Sequence, residues 1–225
     1  MNKYDTPAPI SAVLDIPAGR IQLIAADRSD TKVEVRPADA SKGRDVKAAE
    51  QTTVEYVDGV LRIEAAPAKY RLLGTSGSVE VTVQLPAGSA VEAKAAGAEF
   101  RGVGRLGDVA ITGAYGTQSA IKLDEAASAR LTAYSGDVSV GRLSGPAEIS
   151  NQKGDITVTE AMRGKVVLST QSGGITVGAA RGVSAALDAG TGYGRIDNAL
   201  MNTDGAPTLT IRATTSHGDI SARSL

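Results

Sequence analysis

Residues 134–140 read YSGDVSV, and the phrase returns as QKGDITV at 152–158, QSGGITV at 171–177 and SHGDISA at 216–222. Each copy is a polar turn around a glycine, followed by alternating apolar and polar residues. From turn glycine to turn glycine, Gly136 to Gly154 is 18 residues, Gly154 to Gly173 is 19, Gly173 to Gly194 is 21 and Gly194 to Gly218 is 24. The last two copies align without gaps, LDAGTGYGRI at 187–196 over IRATTSHGDI at 211–220, and TQSAIKL at 117–123 is a weaker early copy. A period of about 20 residues with one strand pair per copy predicts a β-solenoid.

The alternation says which side chains face inward. Two residues after each turn glycine stands an aliphatic residue: Val138, Ile156, Ile175, Ile196 and Ile220. Val140, Val158 and Val177 repeat it two further on, with Ser139, Thr157 and Thr176 pointing outward between them. Stacking the coils at about 4.8 Å sets each aliphatic over its neighbour and buries a face that one coil alone cannot bury. Thr170, Thr191 and Thr215 share a register and predict a hydroxyl ladder; Gln152 and Gln171 share another and predict an amide ladder.

Composition shifts near residue 97. Residues 1–96 hold 6 glycines and 6 prolines, residues 97–225 hold 20 and 2. SAVLDI, GRIQLIAA, TKVEVR and SVEVTVQL in the first half alternate with period two and read as twisted antiparallel strands. TVEYV-Asp58-Gly59-VLRIEA reads as a hairpin, because Asp-Gly supplies the positive φ angles of a type I′ turn. Residues 38–53 are the only stretch with helical composition, and 66–77 read as a loop whose Tyr70, Leu72 and Leu73 pack back onto the sheet. The expected fold is all-β: a single-stranded right-handed parallel β-helix over 97–225. A less regular antiparallel strand region over 1–96 packs on it and caps it, and the two form one continuous domain from residue 8 to 225.

The 24 basic and 25 acidic residues leave a net charge of −1. A nucleic-acid binder carries a basic excess to replace phosphate counterions and aromatics on which bases stack; one Phe, six Tyr and no Trp supply neither. The absence of Cys excludes disulfides and thiolate metal sites. The opening MNKYDTPAPISAVLDIPAG has no apolar core of the kind a secretory signal needs, and no apolar run long enough to span a bilayer occurs, so a cytoplasmic location without membrane insertion is expected.

Candidate chemistry is sparse. Asp137, Asp155 and Asp219 each follow a turn glycine, but Gly174 and Arg195 share their register. One adjacent acidic pair supplies too few oxygens for Ca²⁺, so turn chemistry accounts for them. His217, the only histidine, shares a corner with Ser135, Lys153, Ser172 and Tyr193 and lacks a nucleophile and orienter. Asp124, Glu125 and Glu160 lie near Lys122, Arg130 and Arg163 and read as solvated ion pairs, not as the clustered acids of a sugar-cleaving solenoid. GTGYGR at 190–195 has phosphate-loop glycines without the helix or Lys that such a loop needs. No catalytic, metal or cofactor residue is expected.

Over most of its length, from about Val13 to the end, the chain resembles the bacterial β-strand-repeat family that goes by "putative adhesin", grouped with the toast-rack solenoids. SVEVTVQLPAGSAVEA at 78–93, GVGRLGDVAI at 102–111 and the serial SGD[VI]xV corners carry the resemblance. It implies a single-stranded right-handed β-helix with a less regular N-terminal part, and no catalytic motif. The function expected is a non-enzymatic scaffold or protein-interaction module with a protein partner; the alternative is an adhesin-like domain that binds carbohydrate or cell envelope. The final corner, Ser216 to Ala222, is followed by only Arg223, Ser224 and Leu225. An uncovered terminal coil offers unpaired backbone, so a weak homodimer through the C-terminal coil, or a partner capping it, is expected.

Overall fold

The computed structural model describes residues 1–65, 77–113, 120–203 and 206–225. Among the described residues, nineteen strands and one helix follow one another. The first are β1 (Asn2–Asp5), β2 (Ser11–Asp15), β3 (Ala18–Ala26), β4 (Asp30–Pro37), α1 (Gly43–Glu50), β5 (Thr53–Val57) and β6 (Val60–Glu64). The middle of the chain forms β7 (Val79–Pro86), β8 (Ala90–Ala95), the long β9 (Gly97–Gly113) and β10 (Ile121–Ser135), β11 (Val138–Leu143), β12 (Ala147–Lys153) and β13 (Ile156–Ala161). The last are β14 (Gly164–Ser172), β15 (Ile175–Ala179), β16 (Ala185–Tyr193), β17 (Ile196–Ala199), β18 (Leu209–His217) and β19 (Ile220–Ser224).

The strands stack into two ladders, and each coil contributes one strand to each. The first ladder runs β7, β3, the start of β9, the start of β10, β11, β13, β15, β19 and β17, all parallel. The second runs β6, β2, β8, the end of β9, the end of β10, β12, β14, β18 and β16, again all parallel. The chain is therefore an all-β solenoid. One aliphatic column threads the first ladder through Val81, Ile21, Phe100, Ile121, Val138, Ile156, Ile175 and Ile220, each no more than 1% exposed. The chain's only Phe thus serves as one rung of a column otherwise made of Val and Ile. A second column, through Leu61, Ala12, Val91, Val109, Ala129, Ala147, Val166 and Ile211, lines the other ladder.

The N-terminal half departs from its antiparallel reading. β2, β3, β7 and β8 pair in parallel and belong to the same stack, so the aliphatic columns pass residue 97 without a break. Each of these parallel strands has one face on the core and one in solvent, so its burial alternates as an antiparallel strand's does, and the pattern does not separate the two. Among the described residues, antiparallel pairing is confined to the end of the stack: β4 on β7, β1 on β4, and β5 on β6. The β5–β6 hairpin turns at Asp58 and Gly59, with φ of 49° and 79°, as the Asp-Gly pair predicts. α1 falls inside the stretch of helical composition, its Asp45 carboxylate accepting the Ser78 amide at 3.0 Å. The predicted packing of Tyr70, Leu72 and Leu73 lies outside the described residues.

The coils do not stack in chain order at the C-terminal end. β18–β19 inserts between β14–β15 and β16–β17, pairing with both. The coil that closes the chain is therefore internal, and the coil before it is the physical end. The N-terminal end repeats the device: β2–β3, the first full coil of the chain, lies between β6–β7 and β8–β9. Both ladder edges of the β18–β19 coil, which holds residues 216–222, are paired within the chain.

Candidate functional site

The repeated corner is built from a glycine, a carbonyl and a hydroxyl. Gly154, Gly173, Gly218 and Gly194 have φ between 128° and 154°, and a Cβ on each would run into the carbonyl oxygen of Gly136, Gly154, Gly173 and Gly218 respectively. The backbone of one coil thus occupies the space where the next coil's side chain would begin, and only glycine fits. The same carbonyls are hydrogen-bonded from the next coil. Asn151 Nδ2 donates to Gly136 O at 2.9 Å, Thr170 to Gly154 at 3.2 Å, Thr215 to Gly173 at 3.0 Å and Thr191 to Gly218 at 3.0 Å. The threonines do share a register, Thr170 beside Thr215 beside Thr191. Their hydroxyls bond turn carbonyls, however, and not one another as a hydroxyl ladder would require. A buried carbonyl without a donor costs more than a hydroxyl pair returns, so the carbonyls take the hydroxyls. Gln152 and Gln171 are exposed.

The aspartates after the turn glycines also tie coil to coil. Asp137 Oδ1 accepts the amide of Asp155 at 2.9 Å, Asp155 Oδ1 that of Gly174 at 2.7 Å, and Asp219 Oδ1 that of Arg195 at 2.8 Å. The Arg195 amide, and then its guanidinium at 3.2 Å, hold the Asp219 carboxyl below its usual range. Among the described residues, no group of three or more His, Cys, Asp or Glu is placed to hold a metal ion.

The remaining candidates are paired differently from their sequence neighbours. Asp124 binds Arg101 at 2.6 Å and accepts the Gly104 amide at 3.2 Å; Glu160 makes a two-pronged contact to Arg142 at 2.9 and 3.2 Å; Arg130 faces Glu148 at 3.6 Å. Glu160 raises the pKa of Arg142. Arg163 donates to the Ser144 carbonyl. These partners are one coil apart, so the signal lay at the coil period. Arg105, Glu125, Arg142 and Glu160 form a column of alternating sign that local inspection missed. His217 sits at the exposed corner, its ring stacked on Tyr193 at 5.1 Å and 14°. Gly190 and Gly192 of the GTGYGR run lie in β16, an ordinary edge strand.

Outward positions make two flat faces. Thr112, Thr132, Ser150, Ser169 and Thr214 form an unbroken hydroxyl column on the second ladder; Ser139, Thr157, Thr176 and Ser221 form another on the first. Across the second ladder runs a shallow trough of about 690 Å³, whose charged lining includes Glu92, Arg130, Glu148 and Lys165. Among the described residues, no helix is long and apolar enough to cross a membrane.

Two parallel ladders with an aliphatic interior and flat polar faces define a β-solenoid domain. The chain matches the Toastrack DUF4097 family over residues 13–223 and belongs to it. No curated protein matches. Among solved structures it is similar to a "putative cell adhesion protein" from Clostridium sporogenes, at 12% identity and a TM-score of 0.45 over 100% of this chain and 98% of that one. It is similar also to a "putative adhesin" from Bacteroides fragilis, at 14% identity and a TM-score of 0.47, and to a "putative lipid binding protein" from Parabacteroides distasonis, at 13% and 0.49. Each of these two alignments covers 98% of this chain and 95% of the other.

Proposed function

We propose that the chain is a non-enzymatic solenoid scaffold that presents the trough face of its second ladder to a protein partner. The observation that carries this reading is where the charged side chains are spent. The corner aspartates are bound to the backbone of the next coil, and Asp124 and Glu160 to arginines of neighbouring coils. The second ladder presents a long, regular column of hydroxyls beside the exposed charges of the trough, Arg130 and Glu148 among them, a rigid platform for recognition rather than a constellation for proton transfer. The coils of this platform wind right-handed in the proposal, following the crossover rule for parallel strands, and a cytoplasmic location goes with it.

The test places a photoreactive residue at Glu148, inside the trough, or at Thr157, on the opposite ladder, and irradiates native extract. A discrete protein adduct should form from position 148 and be lost when Arg130→Glu reverses the charge beside it. Adducts indifferent to face and to Arg130, or turnover of a substrate by the purified chain, would overturn the reading.

The adhesin-like alternative is favoured by one observation. Tyr193 is 75% exposed and stacked on His217, an apolar ring with a polar tip offered at a corner. Glycan binding that Tyr193→Ala abolishes would support it; an unbound glycan array would remove it.

A further inference from the structure

We propose that the β16–β17 coil is a self-association edge, through which a second copy of this chain continues the two ladders across a two-fold axis. The proposal rests on reading the chain as an interaction module, and it names one partner.

The aliphatic column of the first ladder ends in solvent. Ile220 is 1% exposed beneath β17, whereas Ile196, the next rung, is 46% exposed. In the second ladder Leu187 follows the buried Ile211 and is only partly covered, with Leu200 packing on the core from the connection after β17. Beside these lie Tyr193 and Met201, 75% and 54% exposed. Natural sheet edges are protected by lysine, proline, bulges or a covering element. Residues 185–199 contain neither Lys nor Pro, and Gly190 and Gly192 leave the backbone of β16 bare. Of the edge charges, Asp188 and Arg195 are turned back onto the coil beneath, Asp188 toward Arg212 at 3.6 Å and Arg195 toward Asp219 at 3.2 Å, and Asp197 on β17 is exposed.

The edge is also complementary to itself. Pairing β16 antiparallel with its symmetry mate, with Ala189 on the axis, sets Asp188 opposite Gly190 and Leu187 opposite Thr191. Along β16 no like charges meet, and inward residues continue to face inward. Such an isologous contact closes at two copies.

Sedimentation equilibrium over a concentration series tests this on the intact chain and two variants. Wild type should reach a dimer and stop there. Ile196→Asp puts a carboxylate on the exposed rung. Ala189→Pro removes the amide that faces the open edge at the proposed axis, since strand alternation from the Leu209-to-Ser184 bond turns the amides of residues 186, 188 and 190 toward β18. Both should remain monomeric with a Tm close to wild type. A wild type that stays monomeric up to about 1 mM, or dimers that both variants preserve, would overturn the self-association. The module reading would then stand or fall on the trough crosslinks.

Discussion

At the N-terminal end the stack is closed. β4 and β1 extend the first ladder in antiparallel pairing, β5 extends the second, and Tyr4 on β1 packs against Tyr56 on β5 at 5.3 Å, joining the outermost strands of the two ladders. Thr6 and Thr31 bury a shared hydrogen bond of 2.9 Å there, and α1 is tied in through Asp45 and Ser78. At the C-terminal end no further described strand pairs with β16 or β17. Only the connection after β17 returns, through Leu200 and the Met201 carbonyl that accepts the Ala185 amide, and the column rung Ile196 is 46% exposed. Both ends insert a terminal coil one layer in, which holds the first and last coils of the chain between neighbours; only one end adds strands of reversed direction. Reversed strands break the repeat and so remove the template for another coil, whereas a parallel coil left bare preserves it.

Substitutions that separate the two isoleucines should show the largest difference. Ile220→Asp buries an unpaired charge between two coils and should cost several kcal/mol, roughly 3 or more, lowering the denaturation midpoint far or preventing folding. Ile196→Asp, at the same position of the repeat but on the open coil, should cost about 1 kcal/mol or less in the monomer. Equal urea midpoints would break the contrast between an inner and an outer coil. Gly218→Ala forces a side chain into the Gly173 carbonyl at a φ of 151° and should destabilise by more than about 1 kcal/mol, against about 0.5 or less for Gly190→Ala, where the space is open. Scanning calorimetry separates these two.

At the closed end, Asp45→Ala leaves the Ser78 amide without its acceptor and should cost about 1–2 kcal/mol. Faster hydrogen exchange should follow in α1, with no change in β18. The smallest effect is acid-dependent. The Ser41 hydroxyl, then Lys42 and the Ser41 amide, hold the Asp39 carboxyl down to about 2, against an ordinary 3.8. A group depressed on folding stabilises the fold above its unfolded pKa and loses that contribution as the pH falls through its folded one. The small Tm advantage of wild type over Asp39→Asn, present at about pH 5, should therefore close as the pH approaches about 2.

Much of the stack was legible because its demands recur in one phrase. A turn glycine is required wherever a carbonyl from the coil below fills the Cβ space, and an aliphatic residue two positions on is required by the column, so GDITV and its relatives announce the corner. The gapless match of 187–196 to 211–220 is the register found between β16 and β18, Leu187 beside Ile211 and Ile196 beside Ile220. Which of those two coils lies outside was not legible from it, since register is the same in either order. The growth of the spacing to 21 and 24 residues was the physical trace: a connection that skips a layer, and one that returns, need more chain. The parallel pairing of β2 with β8 was hidden for another reason. Burial alternates in these parallel strands as it does in an antiparallel one, and only the Asp58-Gly59 turn carries a local mark of direction. The ion pairs escaped because their partners stand one coil apart, as Arg142 and Glu160 do, beyond the reach of neighbour-by-neighbour reading.

The order of the coils is the claim on which the contrast between the ends depends, and the absence of Cys makes it directly measurable. Thr176 is in register with Ser221 in the adjacent coil, and Ser221 in turn with Asp197. Adjacent parallel strands are about 4.8 Å apart, within disulfide reach, while strands two coils apart are separated by about twice that and are not. Thr176→Cys with Ser221→Cys should oxidise rapidly to an intramolecular disulfide, and Thr176→Cys with Asp197→Cys should stay reduced under the same conditions. The reverse result, a bond from 176 to 197 and none from 176 to 221, would put the coils back in chain order and contradict the account.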